Sequence, residues 1–133
     1  MRVAFPEQAP FTSTGPLVLF NGGVRHGTTT MYIHAYVNVP APTALVTVVK
    51  IKKIHQGHYG TRSIATIPTI AGGSGSLIAF NLSVHRTFRR NGSKQGYLLA
   101  RCATGRFFAH GTVAFAGGTP IAGTVVRPCA PAG

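Results

Sequence analysis

The sequence predicts an all-β protein, an antiparallel sandwich of seven or eight strands, and three observations carry that expectation. Apolar and polar residues alternate with period 2, most cleanly over 29–39, as a half-buried strand requires. No window shows a sustained 3.6-residue period, so no amphipathic helix is expected. Turn residues punctuate the chain about every ten residues and leave eight candidate strands, the spacing of a sandwich.

Residues 1–16 hold Pro6, Pro10 and Pro16 among Ser, Thr and Gly, and read as an irregular lead-in or linker before a domain over 17–133. Leu17-Val-Leu-Phe20 is a short apolar strand ended by Asn21-Gly22-Gly23. Over 29–39, Met31, Ile33, Ala35, Val37 and Val39 share one face, and Tyr32, His34, Tyr36 and Asn38 the other. Pro40 and Pro42 stop that ladder, because proline cannot donate to it. Over 44–54, Lys50 and Lys52 share a face with Val46, Val48 and Ile54, which predicts a strand that leaves the core or carries a bulge.

A weaker strand over 59–67 ends at Pro68, and Ala71-Gly-Gly-Ser-Gly75 is expected to be a flexible turn. The run 77–88 places Ile78, Phe80, Leu82, Val84 and Phe88 inward. Asn91-Gly92 is the strongest hairpin signal, since both residues accept the positive φ of a type I′ turn. Strands over 97–102, 106–115 and 120–127 then form a meander, turning at Thr104-Gly105 and Gly117-Gly118. Gly-Thr-Val recurs at 111–113 and 123–125, a hairpin spacing and not a solenoid repeat.

The 133 residues fit one domain and can bury a core without a metal. No apolar run is long enough to cross a membrane as a helix. The opening Met-Arg-Val-Ala-Phe-Pro-Glu lacks the apolar stretch and cleavage site of a signal peptide. If exported, the domain is expected to be a mature segment, a fragment, or part of a longer multi-domain chain.

Cys102 and Cys129, without a Cys-x-x-Cys pattern, allow a disulfide, two buried thiols or a nucleophile. A meander brings the end of one strand at Cys102 near the residue after the last strand at Cys129, which favours the disulfide. Closing that loop stabilises by about 3.5 kcal/mol in the chain-entropy picture. Buried reduced thiols are the alternative. A nucleophile needs a base and an orienting acid or amide, and the chain has a single acid, Glu7.

The residues Ala100-Arg101-Cys102, Gly105, Phe115, Gly118-Thr119 and Gly123-Thr-Val-Val-Arg-Pro-Cys129 resemble the C-terminal end of a group of uncharacterised secreted proteins of high-GC bacteria. Val37-Asn-Val-Pro-Ala-Pro42 and the segment Ile67-Pro to Gly72-Gly73 fit the same pattern, so the resemblance spans about residues 17–129. It implies export, an immunoglobulin-like sandwich and a disulfide, and it brings no activity. Thr104-Gly105 and Gly117-Gly118 stand where members of that group have Asp-Gly, which removes two cation ligands.

Thirteen Lys and Arg against one acid give a formal charge of +12, while charged residues make up only 11% of the chain. That fraction is well below the usual quarter, so missing acids cause the imbalance more than surplus bases. A field of this sign attracts polyanions. The cations group at Lys50, Lys52 and Lys53, and at Arg86, Arg89, Arg90 and Lys94, whereas Arg2, Arg25 and Arg127 read as dispersed. Tyr32 and Tyr36 flank His34 on one polar face and offer stacking surface.

One acid excludes paired-carboxylate catalysis and carboxylate-rich Ca²⁺ or Mg²⁺ sites. Gly72-Gly-Ser-Gly75 lacks the Lys-Ser/Thr of a P-loop. His55-Gln-Gly-His58 has ligand spacing and, with His34 or His85, would reach three imidazoles. Gly57 makes a plain turn the better reading, so no metal and no cofactor is expected. The expected function is a non-catalytic structural or interaction module of a secreted or cell-surface bacterial protein. A polyanion binder acting on nucleic acid or an anionic cell envelope is the alternative.

Overall fold

The computed structural model describes residues 1–5, 11–38, 41–84, 87–96, 102 and 104–129. Among them, regular structure is strand apart from one short 3-10 turn at Ala71–Gly73. Among the described residues eleven strands pair in four small antiparallel sheets, where one sandwich over 17–133 is expected. They gather into two compact units, Met1–His55 with Gly60–Ser83, and Gln56–Tyr59 with Val84–Gly133.

Unit 1 holds two sheets. β1 (Arg2–Phe5), β2 (Phe11–Thr14) and β7 (Ser76–Ala79) make one of order β2-β1-β7. β3 (Leu17–Arg25), β4 (Thr28–Val37), β5 (Thr43–Gln56) and β6 (Tyr59–Thr66) make the other, in chain order, with the β5–β6 tip Gln56–Tyr59 counted in unit 2. A single apolar cluster joins the sheets: Val3 and Phe5 from β1, Ala35 and Val37 from β4, Leu45 from β5, and Ile70. The alternation read over 29–39 holds within β4, with Ala35 and Val37 buried and Tyr32 exposed, and Val39 lies outside the described residues.

Arg2–Phe5 and Phe11–Thr14 depart from the irregular lead-in expected of residues 1–16, because they form β1 and β2 and Val3 and Phe5 are core, while 6–10 lie outside the described residues. Two inward residues make too short an alternation to register beside three prolines. Gly15-Pro16 is the corner where the chain leaves one sheet for the other. There the Tyr36 N–H donates to the Pro16 carbonyl at 3.4 Å. Glycine is required at 15, since a Cβ would overlap the Tyr36 carbonyl oxygen.

Asn21-Gly22-Gly23 does not end β3. Asn21 pairs with Met31 and Val24 with Thr29, so Gly22 and Gly23 together face Thr30 as a bulge. Asn21 Oδ1 accepts the Gly23 N–H at 2.8 Å and holds it closed. The turn comes later, at His26-Gly27, whose φ values of 47° and 71° fit type I′.

β5 carries no bulge against β4, for pairing runs unbroken from Thr28↔Lys52 to Val37↔Thr43. Leu45 and Thr47 are its buried set, and Val46 and Val48 lie on the outer face with Lys50 and Lys52. The 71–75 turn, expected to be flexible, is closed by hydrogen bonds. Gly73 and Gly75 N–H both donate to the Ile70 carbonyl, and Ser74 N–H and Oγ donate to that of Ala71. It seats Ile70 in the core.

The expected strand over 77–88 is two strands, β7 and β8 (Thr87–Arg90). Its first part has apolar residues at both parities, so alternation alone cannot choose a face. Pairing with β1 chooses Leu77, which opposes Val3 and packs on the core, leaving Ile78 and Phe80 exposed.

Unit 2 is made of hairpins. β8 and β9 (Ser93–Gly96) turn at Asn91-Gly92, with φ of 50° and 77°, the expected type I′ turn. β10 (Arg106–Val113) and β11 (Ile121–Pro128) pair so that Gly111 faces Gly123, and the two Gly-Thr-Val tripeptides start at one rung. Cys102 and Cys129 form a disulfide with Cα atoms 6.3 Å apart, closing the base of this hairpin. Beside it the Cys129 N–H donates to the Gly105 carbonyl at 3.1 Å. The expected strand over 97–102 lies outside the described residues except for Cys102.

Candidate functional site

Both cysteines are consumed by the disulfide, which closes the thiol readings. An open hollow of about 470 Å³ beside β1 is lined by Met1, Arg2, Thr14, Gly15, Ala79, Phe80 and Asn81, and the Met1 N-terminal ammonium there donates to the Gly15 carbonyl at 3.0 Å. His58 stacks on Phe108 with ring centroids 4.6 Å apart, and Tyr59 meets the His110 ring at 6.4 Å. His110 Nδ1 and Thr124 Oγ1 share a hydrogen bond of 2.9 Å. These histidines are held as packing groups of unit 2. Among the described residues no three His, Cys, Asp or Glu side chains gather as metal ligands, and His85 lies outside those residues.

The cations give a clearer arrangement, and register creates it. Residues paired across antiparallel strands project to the same face, with Cβ atoms about 4.5–5.5 Å apart. One rung of the four-stranded sheet runs Arg25–Thr28–Lys52. Two residues along, Thr30 pairs with Lys50 on that same face. Lys50 and Lys52 are therefore about 6.8 Å apart along β5, and Arg25 sits two strands across, about 9.6 Å from Lys52.

Arg25 reaches this face only because of the bulge. With Phe20 facing outward, strict alternation would turn residue 25 inward, and the extra residue at Gly22-Gly23 reverses the parity. Arg25 is thus clustered with Lys50 and Lys52, contrary to its reading as a dispersed charge. The dipeptide His26-Gly27 was the signal for it, because a turn there forces pairing past Asn21-Gly22-Gly23. Lys53 has the opposite parity and faces the other way.

The same outer face continues into an apolar stretch. The next outward rungs are Phe20–Tyr32–Val48 and Val18–His34–Val46. Phe20 is 53% exposed, Val46 53%, Val18 47%, Tyr32 40% and Val48 39%. Tyr32 is set by the bulge as well, its ring lying so close over Gly22 that a Cβ there would come within 2.5 Å of it.

The second predicted cluster divides. Arg89 pairs directly with Lys94, a like-charge pair, whereas Arg90 pairs with Ser93 and takes the opposite face. Arg86 lies outside the described residues. Lys50, Lys52 and Lys53 belong to unit 1, and Arg89, Arg90 and Lys94 to unit 2. The sole acid, Glu7, also lies outside the described residues, so no side-chain carboxylate offsets these cations among them. No protein-family model, no curated protein and no solved structure matches this chain.

Proposed function

We propose that the chain is a non-catalytic binding module of a secreted or cell-surface bacterial protein, and that its ligand is anionic. The observation that carries this reading is the cationic end of the outer face, where Arg25, Lys50 and Lys52 stand within about 12 Å of one another. Three cations on one exposed face give a local positive field that an extended anion can meet at several points at once. The disulfide supports an extracytoplasmic setting, since such bonds persist in oxidising compartments. Two antiparallel sheets packed over one core support an immunoglobulin-like reading of unit 1. The disulfide lies in unit 2, away from the inter-sheet place it takes in that fold.

The test is heparin binding at about 0.15 M salt, where scattered charges lose their reach. Replacing Arg25, Lys50 and Lys52 together by Gln should abolish binding that replacing Arg89, Arg90 and Lys94 leaves largely intact. Equal losses would mean that the +12 charge acts as a uniform cloud, and the site reading would fall.

A further inference from the structure

We infer that the outer face of the β3-β4-β5-β6 sheet docks on an anionic lipid surface, an inference that rests on the anionic-ligand reading and names the partner. The face has two halves in fixed register. Its apolar half is Val18, Phe20, Tyr32, Val46 and Val48, all at least 39% exposed. Its cationic half is Arg25, Lys50 and Lys52, starting one outward rung beyond Phe20–Tyr32–Val48. A soluble polyanion uses only the second half. A bilayer interface uses both, because apolar side chains enter the headgroup boundary while Lys and Arg meet the lipid phosphates.

The composition of the apolar half separates this partner from a single-stranded nucleic acid. Stacking platforms present aromatic faces to successive bases. Here Phe20 and Tyr32 are neighbours in one rung, His34 stands half-buried between Val18 and Val46 in the next, and the more exposed residues around them are the valines 18, 46 and 48, so rings do not run in succession along the face. Valine offers no ring to stack on and enters an acyl boundary well. A second copy of the chain is disfavoured by charge, since it would bring +12 against +12. Tyrosine at the junction of the two halves suits a membrane interface, with its ring in the apolar zone and its hydroxyl toward water.

The chain has no tryptophan, which allows a clean reporter. Phe20→Trp places one on the face, and Val125→Trp places one on the exposed β11 strand as a control. At about 0.15 M salt, phosphatidylglycerol-containing vesicles should blue-shift the residue-20 reporter and leave the residue-125 reporter unchanged. Pure phosphatidylcholine vesicles should shift neither. Each neutralised cation removes roughly a fivefold factor near an anionic surface, so the Arg25, Lys50 and Lys52 to Gln variant should lose about a hundredfold in vesicle affinity.

Val46→Ser with Val48→Ser should weaken vesicle binding roughly tenfold by removing apolar insertion, while heparin binding stays at the parent level. The exposed positions leave the core intact, and matched thermal unfolding of each variant checks that the fold is kept. Heparin binding without vesicle binding, or an unaffected Val46 and Val48 variant, overturns the lipid inference and leaves the anionic reading standing. Tighter binding to single-stranded DNA than to vesicles, at equal charge, overturns it in favour of nucleic acid. Unchanged binding of the triple Gln variant to both heparin and vesicles overturns inference and reading together.

Discussion

β4 in unit 1 and β10 in unit 2 have similar alternating sequences, yet they end in opposite environments. Ala35 and Val37 of β4 are buried, at 5% and 1% exposure. On β10 and β11, Phe107, Val113, Ile121 and Val125 share one face and are 39–64% exposed. The difference lies in what covers the face. β1 brings Val3 and Phe5 against β4, whereas Cys102 is the one buried hydrophobic residue of unit 2 among the described residues. Alternation specifies which residues share a face, and a second sheet specifies whether that face is a core. Unit 1 is held by apolar burial; the β10–β11 hairpin is held by its ladder and a disulfide.

Removing each support in turn should break this contrast. Phe5→Ala empties the centre of the unit 1 cluster and should cost about 3–5 kcal/mol, read by chemical denaturation. Amide exchange should rise first in β1, β4 and β5. Replacing both Cys102 and Cys129 by Ser lifts the constraint on a loop with a separation of 27 residues. That should cost about 3.5 kcal/mol, with faster exchange concentrated in β10 and β11. Similar exchange gains throughout the chain in both variants would show that the two units share one stabilising core.

Smaller changes sharpen the same point. At Gly75 an added Cβ would lie 2.7 Å from Ile70 Cγ2 and 2.8 Å from Phe5 Cε1. Gly75→Ala should therefore destabilise by about 1–3 kcal/mol through overpacking, measured as a fall in Tm. Lys94→Gln has the opposite sign. It removes a like charge directly across from Arg89 and should raise stability by about 0.2–1 kcal/mol. That gain should shrink at high salt, as screening requires.

Much of the strand pattern was legible because it rests on local rules. The period-2 run of β4, the Asn91-Gly92 turn and the hairpin spacing of Gly111 and Gly123 each need only a few neighbouring residues. The disulfide was expected from two cysteines at the ends of predicted neighbouring strands, and it forms, although the strand predicted over 97–102 lies outside the described residues except for Cys102. What escaped depends on partners distant in sequence. Arg2–Phe5 is a strand because β7 and β2 flank it, and Leu77 outranks Ile78 because it opposes Val3. The candidate site was half legible for the same reason. Lys50 and Lys52 share a face by alternation alone, but Arg25 joins them through a bulge that reverses parity within β3.

The central claim is that the bound anion sits on the cationic end of that outer face. The most direct test is to titrate isotope-labelled protein with a short heparin oligosaccharide at about 0.15 M salt and follow backbone amide shifts. Shifts should concentrate at Arg25, Thr28, Thr30, Lys50 and Lys52 and saturate together with one affinity. Shifts spread evenly over the thirteen Lys and Arg positions, or centred on Arg89 and Lys94, would contradict it.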